Sequence, residues 1–242
     1  MPLSDRPRLG ELLVRGALAG AAAGLVTSLV AYLLVTPVLD RAIALEGVDG
    51  DGLVARETQK LIGMPAGFLF VGIALGMLFA LAFHVLPSRA PVWRRATGLA
   101  LAAFLALALI PQLRYPADPP GVGDPDSIAT RTSSYLLAVA LGVAVVSAAY
   151  GALRTLERHG TPAAVRQSAV VGAAAAVVLL GYAVLPDNDG VVDAPAALVW
   201  DFRIRSLGVL ALLYALLGGG FGLLAERAGR RKVTEAPAEL LL

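Results

Sequence analysis

Apolar residues in this chain come in long unbroken runs, not in the alternation expected of half-buried strands or amphipathic helices. Six runs contain no Lys, Arg, Asp or Glu: roughly Gly16–Val38, Met64–Leu86, Ala96–Leu113, Ser133–Leu153, Ser168–Leu185 and Ser206–Ala225. A hydrocarbon core about 30 Å thick is crossed by about 20 residues of helix. A charge at its centre costs about 2.5–3.5 kcal/mol. The pattern therefore predicts an all-α, polytopic transmembrane helical bundle of six spans, a single integral membrane domain with a tail over 226–242. The third and fifth runs are the shortest, so five spans is the alternative count. The first run follows Arg6, Arg8 and Arg15 as a signal peptide would, but it exceeds the roughly 7–15 apolar residues of a signal. It also ends in Val35-Thr36-Pro37, with no small-residue cleavage site, and is expected to stay as a helix.

Composition agrees with that pattern. Hydrophobic residues make up 57% of the 242, charged residues 16%, and the mean hydropathy is +0.74. A water-soluble domain carries about 25% charge, so a soluble enzyme is excluded. The absence of cysteine removes disulfides, thiolate metal sites and cysteine nucleophiles. Two histidines, no HExxH, no Ser-His-Asp pattern and no GxxxxGK[ST] leave neither hydrolytic nor ATPase machinery. An enzyme is not expected, nor a nucleic-acid partner; the lipid bilayer is the expected surrounding.

Charge placement sets the expected orientation. Of the 20 Lys and Arg, 13 fall at the N-terminus, after the second and fourth runs and in the C-terminal tail. The alternate loops hold 7 cations and 12 of the 18 acids. Basic loops stay in the cytoplasm, so both termini are predicted cytoplasmic, in a bacterial cytoplasmic membrane. Gly16-x-x-x-Gly20-x-x-x-Gly24, Gly72-x-x-x-Gly76 and Gly218-x-x-x-Gly222 put glycines four apart on spans one, two and six. Such stripes let helix backbones approach closely, although glycine is common in membrane helices for no special reason.

The three outer segments carry the distinctive chemistry. Leu39–Gly63 includes Arg56-x-x-Gln59 and is expected to be a loop. Arg114–Leu136 reads RYPADPPGVGDPDSIATRTSSYL, whose four prolines forbid a continuous helix. Asp124-Pro125-Asp126-Ser127 there looks like a turn and helix cap. The third segment, Pro186–Gly208, includes Trp200-Asp201-Phe202-Arg203. Asp118, Asp124 and Asp126 either serve a rigid turn or put carboxylates near a pathway entrance. Arg56, Gln59, Arg114, Arg131, Asp201 and Arg203 are candidates for outer-face ion pairs or substrate contacts. Paired arginines would staple the loops together; unpaired ones would attract an anion or a metal chelate.

RYPADPPGVGDPDSI after span three, WDFR and Ser206-Leu207-Gly208 entering span six, and Arg56-x-x-Gln59 before span two together resemble the CbtA family of predicted cobalt-transporter membrane subunits. The resemblance runs from about Leu12 to about Glu226. It implies cobalt uptake linked to cobalamin synthesis, beside a small one-span, histidine-rich, CbtB-like subunit. Cobalt would be substrate, with no tightly bound cofactor, and a homo-oligomer is compatible with the pattern. The residues themselves offer less to cobalt than the resemblance does. Cobalt suits imidazole nitrogen, and the outer segments have no histidine; His84 and His159 fall on the cytoplasmic side. Weak capture by Asp118, Asp124 and Asp126 is the metal reading the sequence allows, since a conduction site must release its ion. A non-transporting scaffold that docks a partner through its outer loops, or a carrier for an anion or chelate, are the alternatives.

Overall fold

The computed structural model describes residues 8–46, 58–86, 88, 90–119, 128–187 and 194–239. Every regular element among them is helical: α1 (Leu9–Leu34), α2 (Thr36–Glu46), α3 (Met64–Val85), α4 (Val92–Phe104), α5 (Ile110–Arg114), α6 (Ile128–Arg158), α7 (Ala163–Val184) and α8 (Ala196–Glu239). Five-residue π-turns, Gln59–Gly63 and Leu105–Leu109, precede α3 and α5. Six stretches are long and apolar enough to cross a membrane: Leu9–Leu34, Leu61–Val85, Val92–Arg114, Ala129–Arg158, Ala163–Val184 and Ala196–Arg230. The described residues thus contain the six apolar helical spans expected from the sequence.

Several boundaries differ from the sequence reading: α8 begins at Ala196 rather than Ser206 and α6 at Ile128 rather than Ser133, so the ends of two outer segments expected to be loop are helical. The first span ends at Leu34, not Val38, with Val35 as a turn before Thr36-Pro37. Proline cannot continue a helix behind it but suits the first turn of a new one, so the chain breaks and restarts there. Residues 39–46, expected to be loop, therefore continue α2; Leu, Arg, Ala and Glu favour helix once it is started.

The helices gather into two compact units. The first contains α1, α3, α4 to Leu101 and α8 from Gly208. Its centre is a seam of glycines. Gly16, Gly20 and Gly24 on α1 lie against Gly76, Gly72 and Phe68 on α3, an antiparallel register. A Cβ added to Gly20 would stand 2.7 Å from the Gly72 carbonyl carbon, and one on Gly76 would stand 2.7 Å from that of Gly16. Real Cβ atoms never come so close, so only glycine permits the approach. Leu25, Leu29 and Leu33 recur every fourth residue and are exposed, as lipid-facing positions should be. Phe221 of α8 is fully buried between Phe79 and Phe83, with ring centroids at 5.3 and 5.0 Å and edge-on planes. On the same helix, Cβ atoms at Gly218 and Gly222 would crowd Ala100, Ala96 and Trp93 of α4. All three glycine stripes are thus packing surfaces.

The second unit contains α2 from Pro37, α4 from Ala102, α5, α6, α7 and α8 up to Leu207. Gly142 of α6 faces the Ala106 backbone. Val38, Ala42 and Leu198 form a small buried cluster with Phe202 packed on it. Pro111 shapes the middle of this unit. It has no N–H to give to the Leu107 carbonyl, four residues back, and its ring would clash there. The helix widens to a π-turn, in which the Ile110 amide reaches back five residues to the Leu105 carbonyl. Two tyrosine hydroxyls serve the local carbonyls: Tyr135 donates to Leu107 at 3.3 Å, and Tyr182 donates to Ile110.

Candidate functional site

At the end of the second unit where α5 leads into residues 115–119, several charged side chains are tied together. Arg114, the last residue of α5, donates through Nη2 to the carbonyls of Leu185 at 3.2 Å and Pro186 at 2.9 Å, and to Asp187 Oδ1 at 3.0 Å. α7 ends at Val184, so this guanidinium sits where helical carbonyls run out of amide partners and the helix dipole is negative. The next residue joins the same junction: the buried Tyr115 donates its hydroxyl to Pro186 at 2.6 Å.

Asp118 occupies the centre. Its side chain is only 6% exposed, and each carboxylate oxygen has its own arginine. Arg131, near the start of α6, reaches Oδ2 at 2.5 Å; Arg203 of α8 reaches Oδ1 at 2.7 Å. A buried carboxylate needs such compensation, and two charge-assisted bonds from opposite sides supply it. Pro119 beside it is fully buried, and Pro116 and Pro119 both fix φ. The stretch Arg114-Tyr115-Pro116-Ala117-Asp118 therefore ties the ends of α5, α6, α7 and α8 together. Asp201 makes a looser pair of contacts, 3.9 Å from Arg41 of α2 and 3.6 Å from Arg205, all partly exposed.

Of the residues singled out in the sequence, Asp118, Arg131 and Arg203 come together as one cluster, and Arg114 holds the neighbouring junction. Asp201 pairs with Arg41 and Arg205 rather than joining them. Gln59 opens the first π-turn. Asp124, Asp126 and Arg56 lie outside the described residues. Both oxygens of Asp118 are engaged by guanidinium groups, Oδ2 by Arg131 and Oδ1 by Arg203. Among the described residues no three His, Cys, Asp or Glu side chains could hold a metal ion. His84 is exposed in the last turn of α3, and His159 Nδ1 lies 2.8 Å from the Thr155 carbonyl. Sequence reasoning missed the parts played by Tyr115, Tyr182 and Asp187, whose only advance signal was proximity to prolines and span ends.

Beside the cluster lies a cavity of about 400 Å³. Its described lining is Gln112, Tyr115, Pro116, Ala117, Arg131, Thr132 and Tyr135. All come from the Arg-Tyr-Pro-Ala-Asp stretch, the residues just before it, or the first turns of α6.

A family model described as "Probable cobalt transporter subunit (CbtA)" matches residues 9–226, almost the whole of the six-span region. The chain belongs to the CbtA family. No curated protein and no solved structure matches it. As a CbtA member with six apolar helices it is a membrane protein with a transport role, and at Asp118 two arginines from different helices converge on one carboxylate.

Proposed function

We propose that this chain is the membrane permease subunit of a cobalt uptake system that supplies cobalamin synthesis. The observation that carries the reading is the CbtA match over residues 9–226 in a chain with six apolar spans. The excess of Lys and Arg on one set of loops supports a cytoplasmic location for both termini. With no histidine in the outer segments, metal selectivity falls to a separate small, histidine-rich subunit with one span. The protein itself provides the passage and its rim, and is not an enzyme.

Radioactive cobalt uptake is the test, in cells without a cobalt importer of their own. The chain alone, the chain with a histidine-rich one-span partner, and an empty vector form the three arms. Uptake above the vector in the partner arm is expected. Vector-level uptake in both other arms would sink the permease reading and leave a scaffold. Orientation is checked separately, because the native chain has no cysteine to interfere. Cysteine at Asp187 should react with an impermeant maleimide in intact cells, whereas cysteine at Ser88 or Thr161 should react only after the membrane is opened.

The form in which cobalt arrives separates two versions of this function. If the bare ion is gathered by loop carboxylates, Asp124→Asn with Asp126→Asn should lower uptake at limiting cobalt, and more external cobalt should restore it. If the metal arrives as an anionic chelate, those substitutions should not lower it.

A further inference from the structure

The cavity next to Asp118 offers little to a bare metal ion in its described lining. Its described lining has one ionised side chain, Arg131, and that is a cation. No carboxylate, imidazole or thioether is among its described lining residues. A divalent cation entering it would give up hydration for two tyrosines, an amide and a threonine while facing a guanidinium. The same surroundings suit an oxyanion. A guanidinium offers five N–H donors in a planar fork matched to carboxylate geometry. The ion pair of Arg131 with Asp118 is made through Nη2, and a guanidinium has further N–H donors that a second carboxylate can share. Gln112 adds amide donors on the α5 side of the same space.

Size narrows the ligand. A cavity of about 400 Å³ lies near the lower end of the roughly 300–1,000 Å³ typical of small-molecule sites. It is larger than a lone phosphate or acetate requires and large enough for a compact molecule with several carboxylates. Such molecules bind divalent first-row metals and carry them as net anions.

We propose that the cavity lined by Gln112, Tyr115, Arg131, Thr132 and Tyr135 binds a small polycarboxylate, and that cobalt reaches the protein there as a negatively charged carboxylate chelate. The second half rests on the transport reading above; the first does not. Because Arg131 is already held by Asp118, a bound carboxylate shares the guanidinium with Asp118. Ligand binding is thereby coupled to the pairing that joins α6 and α8 through residue 118.

The experiment uses the purified full-length protein in detergent, with citrate as the polycarboxylate. Calorimetric titrations with citrate alone, cobalt chloride alone, inorganic phosphate alone, and cobalt with excess citrate are compared. Citrate and cobalt–citrate should bind, cobalt chloride should not, and phosphate should bind at least tenfold more weakly than citrate. Arg131→Gln should weaken citrate by roughly tenfold or more, the scale of a lost charge-assisted bond. Should that variant fail to fold for want of its bond to Asp118, Gln112→Glu keeps the test alive. It leaves Asp118 and its arginines untouched, yet puts a like charge into the cavity, and should weaken citrate about as much. Unchanged citrate affinity in Gln112→Glu, tighter binding of cobalt chloride than of citrate, or equal binding of phosphate would overturn the assignment. Uptake assays with free and citrate-bound cobalt keep the two proposals distinguishable. Citrate binding without uptake of either form rejects the permease and leaves the site standing. Uptake of free cobalt without citrate binding does the reverse.

Discussion

The seam between α1 and α3 is made almost entirely of backbone, whereas the junction around residues 114–118 is made of side chains that carry charge. In the first, Gly16, Gly20, Gly72 and Gly76 bring two helices together by having nothing between them. In the second, Arg114, Asp118, Arg131 and Arg203 join four helix ends through hydrogen bonds and ion pairs. The two regions solve the same difficulty, that lipid gives apolar helices no reason to associate. Close packing is permanent and indifferent to solutes. Charged pairs can be shared with an incoming ligand, whereas two backbones in contact offer it nothing to share.

The largest effect should come from the seam. In Gly20→Val the new side chain meets the Gly72 carbonyl, and backbone cannot move aside as a side chain can. The cost should exceed the roughly 1–3 kcal/mol of ordinary overpacking, seen as loss of monodisperse protein on gel filtration. Gly67→Ala on the same α3 has open space around it and should stabilise slightly, by about 0.5–1 kcal/mol. If both variants behave alike, the seam is not what holds these helices.

Asp118→Ala comes next. It leaves Arg131 and Arg203 facing one another without their shared anion. The loss should fall below the ~3–5 kcal/mol of a wholly buried pair, because the two arginines are still 32% and 27% exposed and water screens them. A double-mutant cycle with Arg203→Gln should show coupling, and additive losses would count against the bridge. Arg95→Ala should cost less, about 1–2 kcal/mol. Arg95 stacks 3.8 Å above the Phe83 ring and donates to the carbonyls of Phe83 and Leu86 at the end of α3. Arg95→Lys should recover only part of this in a thermal melt, since lysine lacks the planar fork. The smallest effect belongs to Arg41→Gln, within about 0.5 kcal/mol, as expected for an exposed pair with 3.9 Å between Arg41 and Asp201. A larger loss there would mean that α2 is held by charge, not by Val38 and Ala42.

Both regions left marks in the sequence, of different clarity. Glycines four apart on two spans can be read directly as a close approach, and the α1–α3 register follows once the helices are antiparallel. The arginines and aspartates of the outer segments could be read as candidates for pairing. Which would meet could not, because Asp118 to Arg203 is a contact across 85 residues set by how the helix ends converge. The π-turn at Leu105–Leu109 was hidden for another reason. Pro111 announces a defect in the helix, but whether it becomes a kink, a break or a widened turn depends on who takes the freed carbonyls. Here Tyr135 on α6 and Tyr182 on α7 take carbonyls beside it. The helical Leu39–Glu46 was obscured by its place between an apolar run and a charged one, where composition reads as loop.

Because α1 and α3 approach through glycines on helices that lipid, not water, surrounds when they are apart, bringing them together releases little ordered water. Hydrophobic cores weaken in the cold, as the entropy gained by freeing water shrinks. The glycine seam draws instead on contact enthalpy between closely spaced backbones, which cooling does not erode. Cooling should therefore loosen the α1–α3 seam less than it loosens a water-facing hydrophobic core.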